Sequence, residues 1–309
     1  MPDLSDYLAL RWFPPRSLMK VSGFTFIRNA VNYDYPVVEA IESILPICDE
    51  VVVAVGASDD ATLALIQGIQ SDKIRIVETV WDDALREGGR VLAVETDKAL
   101  AEVAADADWC VYIQGDEVLH EDGHAALKQA MEVNLQRESI DGLLLSYRHF
   151  YGSYDYLGTS SKWYRNEIRV IKPGRDIFSF RDAQGFRKRP DQKLRVARVE
   201  AYMHHYGWVK EPEAMQRKQE SFHKMWHDDD WVASHVVPAE SYDYGRDVQQ
   251  MQKFTGTHPR VMLERIQRQN WTFDTDISID RRTSKDRFKS FCYNRLGIEL
   301  GYKNYLADR

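Results

Sequence analysis

The sequence predicts an α/β protein whose mostly parallel sheet is flanked by helices, with partly antiparallel strands and a helical extension added after it. In the first half of the chain, short β-rich runs alternate with helical patterns, as they do where crossover helices join parallel strands. Two of the strand-like runs, "EVVVAVG" and "WCVYIQ", are apolar throughout, which is typical of strands buried on both faces.

The elements follow one another in a regular order. The first strand is "GFTFIRNA", and the next helix is "YDYPVVEAIESILPI", with a proline in its first turn. "EVVVAVG" then precedes a helix that cap residues open in "SDDATLALIQGI". The strands "KIRIVETV" and "WCVYIQ" enclose the helix in "GGRVLAVETDKALAEVAAD". In sheets built this way, ligands bind at the carboxyl ends of the strands.

The second half of the chain has a different pattern. After a helix around "HAALKQAMEVNLQ", the runs "DGLLLSYRHF", "NEIRVIK" and "VEAYMHHYG" indicate added, partly antiparallel strands. From Glu211 onward the pattern is helical, polar and rich in Trp and Tyr. We therefore expect an N-terminal segment over residues 1–20, a main domain over 21–208 and a helical C-terminal extension over 209–309.

The charge of the chain is unevenly distributed. The net charge is −7, which argues against a general nucleic-acid-binding protein. Between Ser161 and Glu200, however, 12 Lys and Arg residues face only 5 Asp and Glu residues. A segment of this kind fits either a site for a phosphate-bearing ligand or a solvated basic face.

The cysteines and the apolar runs indicate the cellular compartment of the protein. Cys48, Cys110 and Cys292 lie far apart with no CxxC pair, which indicates reduced core residues in a cytoplasmic protein. No run approaches the ~20 apolar residues of a membrane span, and the N-terminus lacks the pattern of a signal peptide. Peripheral contact with a membrane through "ALRWF" stays open beside packing of this stretch on the domain.

Polar clusters fall at the ends of several predicted strands. These clusters contain Arg28, Asn29, Asp59, Asp60, Asp116, Glu117, His204 and His205. Carboxylates and a histidine that converge on one edge suit a hard divalent cation such as Mg²⁺ or Mn²⁺, although adjacent acids also occur in solubilising turns. Neither a GxxxxGK[ST] loop nor a GxGxxG loop is present, so phosphate would have to be bound by a metal and basic side chains.

In this arrangement the chain resembles a bacterial family 2 glycosyltransferase of the GT-A fold, a Rossmann-like α/β fold. The resemblance rests on "GFTFIRN", "VVVAVGASDDAT", "GGRVLAVETDKAL", "WCVYIQGDEVLHEDG" and "HHYGWVKEPEAMQRK", which span about Val21 to Lys218. The fourth stretch carries a Q-x-D-E variant of the D-x-D motif. The resemblance implies that residues 21–208 bind a nucleotide sugar and transfer its sugar, with inversion, in the presence of Mg²⁺ or Mn²⁺.

The resemblance also implies roles for individual residues. Asp116 matches the last Asp of D-x-D and would bind the metal together with His205 or His204, of which we prefer His205. Gln114 stands in the place of the first Asp, where an amide can still bind a ribose hydroxyl, and Gly115 would permit a close approach of the backbone. The residues expected beside the base and ribose are Arg28, Asn29, and Asp59 or Asp60, with Asp59 preferred. Glu117 is expected to pair with a nearby basic group.

An inverting transfer needs a carboxylate that deprotonates the acceptor hydroxyl. The family places this residue on a loop after the added strands, and the candidates there are Asp182 in "SFRDAQGF" and Asp191 in "RPDQK". We prefer Asp182, while both acids could instead be loop residues paired with arginine. One of the basic residues Arg187, Lys188 or Arg189 would then lie near the diphosphate.

The implied partners are a UDP-, GDP- or dTDP-sugar as donor and a glycan, a lipid-linked molecule or a small molecule as acceptor. Two alternatives remain at this point. Gln114 leaves open a catalytically inactive nucleotide-sugar-binding or scaffold protein. A sugar-nucleotide pyrophosphorylase shares the type of sheet, but this chain lacks the G-x-G-T-R loop expected of one.

Overall fold

The structure is a computed structural model, and it describes residues 19–85, 87–226, 230–231, 234, 239–245, 250–273, 276–278 and 280–308. The predicted N-terminal segment lies outside the described residues, apart from its last two positions. Its "ALRWF" stretch is among the residues outside the described part of the chain.

Strands and helices alternate in the first half of the chain, as predicted. The strands of the described residues are β1 Val21–Ile27, β2 Glu50–Gly56, β3 Ile74–Thr79, β4 Trp109–Tyr112, β5 Glu117–Leu119, β6 Gly142–Tyr151, β7 Ser153–Gly158, β8 Asn166–Ile171, β9 Ile177–Phe180, β10 Gly185–Lys188, β11 Gln192–Trp208, β12 Met251–Lys253 and β13 Tyr305–Ala307. The α-helices are α1 Val37–Ile44, α2 Thr62–Gln67, α3 Arg90–Ala101, α4 His124–Asn134, α5 Pro212–Lys224, α6 Leu263–Gln267 and α7 Ser284–Leu296.

These strands form one sheet with a parallel half and a mixed half. Its main order is β3-β2-β1-β4-β8-β6-β11-β10-β9. The first four of these strands run parallel, whereas β8 is antiparallel to both of its neighbours, β4 and β6. β11 runs parallel to β6 and antiparallel to β5 and β10. The predicted α/β class, with helices around the sheet and added antiparallel strands, is confirmed.

The sheet is buried on both faces because its central strands are apolar throughout. In β2, Val51 and Val53 pack into one core cluster, whereas Val52 and Ala54 pack into another on the opposite face. Side chains of α1 and α4 complete the first cluster, and side chains of α3 complete the second. Each fully buried aliphatic side chain contributes roughly 1.5–3 kcal/mol to folding, so these strands form a rigid support for the loops at their ends.

The chain after residue 208 adds helices to the domain, and it also adds two short strands. β12 pairs with β7, and β13 runs parallel to β11 with Leu194 opposite Tyr305. The sequence pattern predicts only helices here, since a three-residue strand is too short to show a period of two. The domain boundaries stay predictions. Among the described residues, no helix has the length and apolar character needed to cross a membrane.

Candidate active site

Asp116 lies between β4 and β5, and its carboxylate faces two basic side chains. Lys218 Nζ is 3.2 Å from Asp116 Oδ2, and His205 Nε2 is 3.7 Å from Oδ1. The backbone is held as well, because the carbonyl of Asp116 accepts a hydrogen bond of 2.8 Å from Tyr206 N. Burial alone would raise the pKa of Asp116, but the ammonium group of Lys218 outweighs it and holds that pKa well below its usual range. The carboxylate is therefore ionised at neutral pH.

The hydrogen bonds of His149 determine which nitrogen of His205 carries the proton. His149 Nε2 donates to the carbonyl oxygen of Tyr164 at 2.8 Å, because a carbonyl can only accept. Burial lowers the pKa of His149 well below its ordinary value, so its ring is neutral and its Nδ1 is an acceptor. His205 Nδ1, 3.2 Å away, must then donate. The Nε2 lone pair of His205 is left facing Asp116.

These two groups fit a divalent cation. Burial lowers the pKa of His205 even though Asp116 opposes the effect, and a neutral imidazole is the form that binds metals. A separation of 3.7 Å between Asp116 Oδ1 and His205 Nε2 suits two ligands of one ion with bonds of ~2.1 Å. The described part of the chain holds no group of three or more His, Cys, Asp and Glu side chains arranged for a metal. Further ligands would have to come from a bound molecule or water.

Close approach of Asp116 and His205 depends on a glycine in β11. A Cβ at Gly207 would lie 2.5 Å from Asp116 Oδ2 and 2.7 Å from His205 Cε1. Real Cβ atoms do not come that close to other heavy atoms, so a side chain at position 207 would push the two groups apart. The "HHYGW" stretch therefore supplies a histidine and the space that it needs.

Lys218 is a cation beside Asp116 that the sequence analysis did not single out. Lys218 Nζ donates to the carbonyl of Gly207 at 2.9 Å as well as to Asp116. Burial would lower the pKa of Lys218, but Tyr35 and Asp116 raise it. A signal for Lys218 exists in the sequence, because it follows the buried Met215 by three residues in α5 and so lies on the apolar face of that helix.

Glu117, the neighbour of Asp116, holds strands together. It is fully buried, and both of its oxygens accept hydrogen bonds from Arg169, of 2.9 Å to Nε and 2.8 Å to Nη2. Tyr147 Oη donates to it at 2.7 Å and Gln114 N at 3.1 Å. The expected basic partner of Glu117 is thus Arg169 on β8. A buried two-point ion pair with no unused oxygen fixes the loop that carries Asp116.

Gln114 and Gly115 serve the packing of this loop. Gln114 Nε2 donates to the carbonyl of Ala183 at 3.1 Å, which ties the end of β4 to the turn between β9 and β10. A Cβ at Gly115 would lie 2.8 Å from Ile27 Cδ1. The close approach that Gly115 permits is therefore to the side chain of Ile27.

The ends of β1 and β2 bring Asn29 and Asp59 together. Asn29, at a left-handed φ of 54°, accepts a hydrogen bond of 2.8 Å from Asp59 N through its Oδ1. The carboxylate of Asp60 is engaged by the chain itself, since it accepts from Thr62 N at 2.9 Å and from Asn32 N at 2.8 Å. Asp59 is exposed, and its carboxylate has a contact of 3.5 Å with Asn29 Nδ2. Asp59 therefore has the more accessible carboxylate of the two.

Arg28 lies at the same edge, next to residues that follow β3. Its Nη1 makes an ion pair of 2.8 Å with Asp83, and its guanidinium carbon lies 5.6 Å from the ring centroid of Trp81. The indole N–H of Trp81 is buried and has no hydrogen-bond partner in the described part of the chain. The "VWDD" stretch thus adds an aromatic ring and a carboxylate to this edge, which the sequence analysis did not anticipate.

Asp182 reaches the same edge from the turn between β9 and β10. This turn, residues 181–184, is joined to the end of β4 by the bond from Gln114 to Ala183. Asp182 is half-buried, and burial raises the pKa of its carboxyl against the opposing effect of Arg181 and Arg169. A carboxylate with a raised pKa is a stronger base, so the turn presents a group suited to accepting a proton.

The structure does not bring His204 to Asp116. Successive residues of a strand point to opposite faces, so His204 turns away from His205. Its Nε2 lies 3.2 Å from Arg148 Nη1, and its Nδ1 lies 3.2 Å from Tyr206 Oη. His204 therefore does not lie where it could bind a metal together with Asp116, which was the alternative that the sequence analysis left open.

The structure does not bring Asp191 to the site either. Asp191 is exposed in the turn between β10 and β11, and it pairs with Arg187 at 3.4 Å. His205 follows it along the same long strand, roughly 45 Å further on at ~3.3 Å per residue. Lys188 pairs with Asp141 at 2.5 Å, and Arg187 Nε donates to Asn304 at 2.7 Å. These basic residues thus have partners away from Asp116.

The comparisons with known proteins give faint likenesses. No family model matches the chain, and no curated protein matches it. A solved structure of S. aureus TarS, residues 1–349, is similar at 18% identity over 43% of this chain and 37% of that chain, with a TM-score of 0.33. Glucosyl-3-phosphoglycerate synthase from Mycobacterium tuberculosis, in complex with Mn²⁺, UDP and glucosyl-3-phosphoglycerate, is similar at 19% identity over 43% of this chain and 45% of that chain, with a TM-score of 0.29.

Mannosyl-3-phosphoglycerate synthase from Rubrobacter xylanophilus gives 15% identity over 46% of this chain and 43% of that chain, with a TM-score of 0.29. The chain thus spans less than half of the length of each of these three proteins. Because the identities and TM-scores are this low, we draw no conclusion about activity from the matches.

Proposed function

We propose that this protein is a glycosyltransferase that moves a sugar from a nucleotide-sugar donor to an acceptor hydroxyl. The observation that carries the proposal is the pair formed by Asp116 and His205, an ionised carboxylate and an imidazole lone pair 3.7 Å apart. The pair lies at the strand edge where α/β sheets bind nucleotides. The sequence resemblance supports the same activity.

In this proposal the donor lies along the ends of β1, β2 and β4. Asp59, Asn29 and Arg28 would contact the base and ribose of a UDP-, GDP- or dTDP-sugar. Asp116 Oδ1 and His205 Nε2 would hold Mg²⁺ or Mn²⁺, which when bound neutralises the charge of the diphosphate leaving group. Lys218 acts as a positioning residue, because its bond to Oδ2 turns the other carboxylate oxygen toward His205.

Asp182 is the proposed general base. Its carboxylate accepts the proton of the acceptor hydroxyl while the hydroxyl oxygen forms a bond to the anomeric carbon of the sugar. The bond from that carbon to the diphosphate breaks at the same time, and the diphosphate leaves with the electron pair. Attack from the side opposite the leaving group inverts the configuration at the anomeric carbon.

Thermal-shift measurements with UDP, GDP and dTDP, each with and without Mn²⁺, test the proposal. We expect at least one nucleotide to stabilise the wild-type protein in a Mn²⁺-dependent manner, because a ligand of the folded state raises the melting temperature. Asp116→Asn should lose this stabilisation. Asp122→Asn should keep it, since Asp122 is an exposed acid near the same loop. Absence of any nucleotide effect in the wild type would overturn the proposal.

One observation favours a second candidate, a nucleotide-sugar-binding protein without transferase activity. Gln114 stands where the first aspartate of D-x-D is expected, and its Nε2 donates to the carbonyl of Ala183, so this donor is already used within the protein. Mn²⁺-dependent nucleotide binding together with no release of nucleoside diphosphate, across a panel of glycan and small-molecule acceptors, would favour this candidate.

A further inference from the structure

A cavity of about 210 Å³ lies apart from Asp116 and His205. Its walls come from the loop before β8, from α7 and from the segment over residues 299–305 that leads into β13. Tyr164 lines the cavity and also accepts, through its carbonyl, the hydrogen bond of His149. Since His149 in turn contacts His205, the cavity begins one layer of residues behind the candidate active site.

Two buried polar atoms in the wall of this cavity have no hydrogen-bond partner among the described residues. They are Asn304 Nδ2 and Ser290 Oγ, on side chains of residues that are 4% and 7% exposed. The amide orientation of Asn304 is fixed, because Arg187 Nε can only donate and lies 2.7 Å from Asn304 Oδ1. A buried polar atom left unpaired destabilises the folded protein, because it has lost its hydrogen bonds to water. A ligand that accepts hydrogen bonds from both atoms would recover this cost.

Gly185 packs closely against one of these atoms. A Cβ at this position would lie 2.7 Å from Asn304 Nδ2 and 2.6 Å from Glu167 Oε1. Glu167 is 2% exposed, and burial raises its pKa to about 7 although Arg169 opposes the effect. Near neutral pH its carboxyl is therefore in part protonated and can donate a hydrogen bond. Because Gly185 has no side chain, the start of β10 lies directly against an amide donor and a carboxyl group that both belong to residues of the cavity wall.

The charges around the cavity are mainly positive. Its lining contains Lys162, Arg165, Lys289 and Lys303. Glu299 also lines the cavity, but it pairs with Lys303 at 3.4 Å. Ammonium and guanidinium groups beside amide and hydroxyl donors match a phosphate or a carboxylate, because both are small anions that accept several hydrogen bonds. The aromatic side chains of the lining, such as Trp163 and Tyr293, would pack against the rest of such a ligand.

The cavity lies beside the turn that carries Asp182. Gly185 packs directly against Glu167, which lines the cavity. Gly185 directly follows the 181–184 turn, which Gln114 holds through Ala183. A ligand anchored in the cavity would therefore lie near the turn that carries Asp182.

We propose that this cavity binds a phosphate or carboxylate group of the acceptor, which holds the acceptor hydroxyl near Asp182. The role in acceptor binding rests on the proposed transferase function, whereas binding of an anion in the cavity can be tested by itself. The acceptor class it names is a small anionic molecule or the anionic end of a larger one.

The test titrates inorganic phosphate, and separately acetate, into the full chain by calorimetry at constant ionic strength set with NaCl. Asn304→Asp keeps the oxygen that binds Arg187 and replaces the unpaired donor with an anionic oxygen. We expect it to weaken phosphate binding by about tenfold or more, and Lys289→Gln to weaken it several-fold. Lys285 is an exposed residue of the same helix and lies outside the cavity lining. Lys285→Gln is therefore the matched control, and this variant should bind phosphate as the wild type does.

Saturable phosphate or acetate binding that follows this order supports the site, and the tighter of the two anions identifies the class. Absence of binding at tens of millimolar, or equal affinity in the Lys289→Gln and Lys285→Gln variants, overturns it. If Asn304→Asp does not fold, Ser290→Ala decides, since removal of the unpaired hydroxyl should also weaken binding. Phosphate binding in a protein that binds no nucleotide would leave the anion site standing and refute the transferase function. Nucleotide binding without any anion binding would refute the anion site and leave the transferase function standing.

Discussion

The two faces of β11 carry adjacent histidines, His205 and His204, whose hydrogen-bond partners differ. On one face, His205 donates a hydrogen bond to His149 through its only N–H, and its Nε2 faces a carboxylate. On the other face, Arg148 donates to His204 Nε2 at 3.2 Å, because an arginine has no acceptor. His204 Nδ1 must then donate to Tyr206 Oη at 3.2 Å, and Tyr206 donates onward to His258 Nδ1 at 2.8 Å.

The difference between the faces lies in the partners and not in the charge of the rings. Burial lowers the pKa of both His204 and His205, so both are neutral at neutral pH. The network of His204 is complete within the protein, since each of its ring nitrogens has a hydrogen-bonding partner. His205 retains a lone pair beside an anion, which a cation would satisfy. An unfinished hydrogen-bond arrangement therefore distinguishes the candidate site from a structural network one residue away.

The largest effect is expected from a change to Asp182, the proposed general base. Its turn is joined to Gln114 through Ala183, on the side of β11 that carries His205. Asp182→Asn should lower kcat by about 10²–10⁴-fold, the usual range for loss of a general base. The affinity for nucleotide and Mn²⁺ should not change, because Asp182 contacts neither in the proposal. Steady-state kinetics and nucleotide calorimetry measure the two quantities separately.

Asp191→Asn is the matched control for this variant, since Asp191 is exposed and lies at the opposite end of β10. It should leave both kcat and affinity at wild-type values. Full turnover in Asp182→Asn, or a loss of turnover in Asp191→Asn, would assign the base to another residue.

The fold was predictable from the sequence where a pattern extended over a whole strand or helix. The apolar runs of β2 and β4 and the helical spacing of α1 are local features, and they predict the parallel half of the sheet. β12 and β13 have three residues each, so they carry no pattern of this kind. Their pairing is set by distant strands, as in the contact of Tyr305 with Leu194.

The site was predictable to the level of strand ends. Asp116 and Asp59 follow strands that the sequence identifies, and His204 and His205 could be recognised as a pair with opposite orientations. Which of the two faces Asp116 depends on the register of β5 against β11, where Glu117 lies opposite His205. Asp191 was misplaced for a similar reason, because nothing local shows that β11 runs on for so many residues.

The two faces should also differ in how pH affects stability. On the side of Glu117 and Arg169, burial raises the pKa of Glu167 from 4.5 to about 7. The folded state therefore binds a proton that the unfolded state releases, so stability falls as the pH rises from about 4.5 to about 7. The loss is about 3 kcal/mol. Glu167→Gln should remove this dependence, as measured by urea unfolding between pH 5 and pH 8.

On the His204 face the direction is reversed. Burial lowers the pKa of His258 from 6.5 to about 4, so the unfolded state binds the proton first and stability falls as the pH drops from about 6.5 to about 4. His258→Gln should remove this loss and leave the opposite dependence, which Glu167 causes between about pH 4.5 and pH 7, as in the wild type. If both variants changed the slope of stability against pH in the same direction, the two faces would not titrate independently.

The same substitution made at each of the two histidines compares the faces directly. It is expected to have a smaller effect, which is on nucleotide binding. His205→Gln should weaken Mn²⁺-dependent nucleotide binding by about 10–100-fold, which is a typical loss when a metal site is perturbed. His204→Gln should leave that affinity within about twofold of the wild type, since its ring points away from Asp116. Calorimetry of nucleotide binding in the presence of Mn²⁺ compares the two variants, and equal losses in both would remove the distinction between the faces.

The smallest effect is expected from the hydroxyl that closes the network on the His204 face. Tyr206→Phe leaves the ring stacked on Phe150, with ring centroids 4.8 Å apart, but removes the link between His204 and His258. Two buried nitrogens lose a partner, so the free energy of unfolding should fall by about 1–2 kcal/mol. Nucleotide affinity should not change, because the backbone N–H of residue 206 still donates to the carbonyl of Asp116. A loss of Mn²⁺-dependent binding in this variant would show that the structural network and the candidate metal site are coupled across β11.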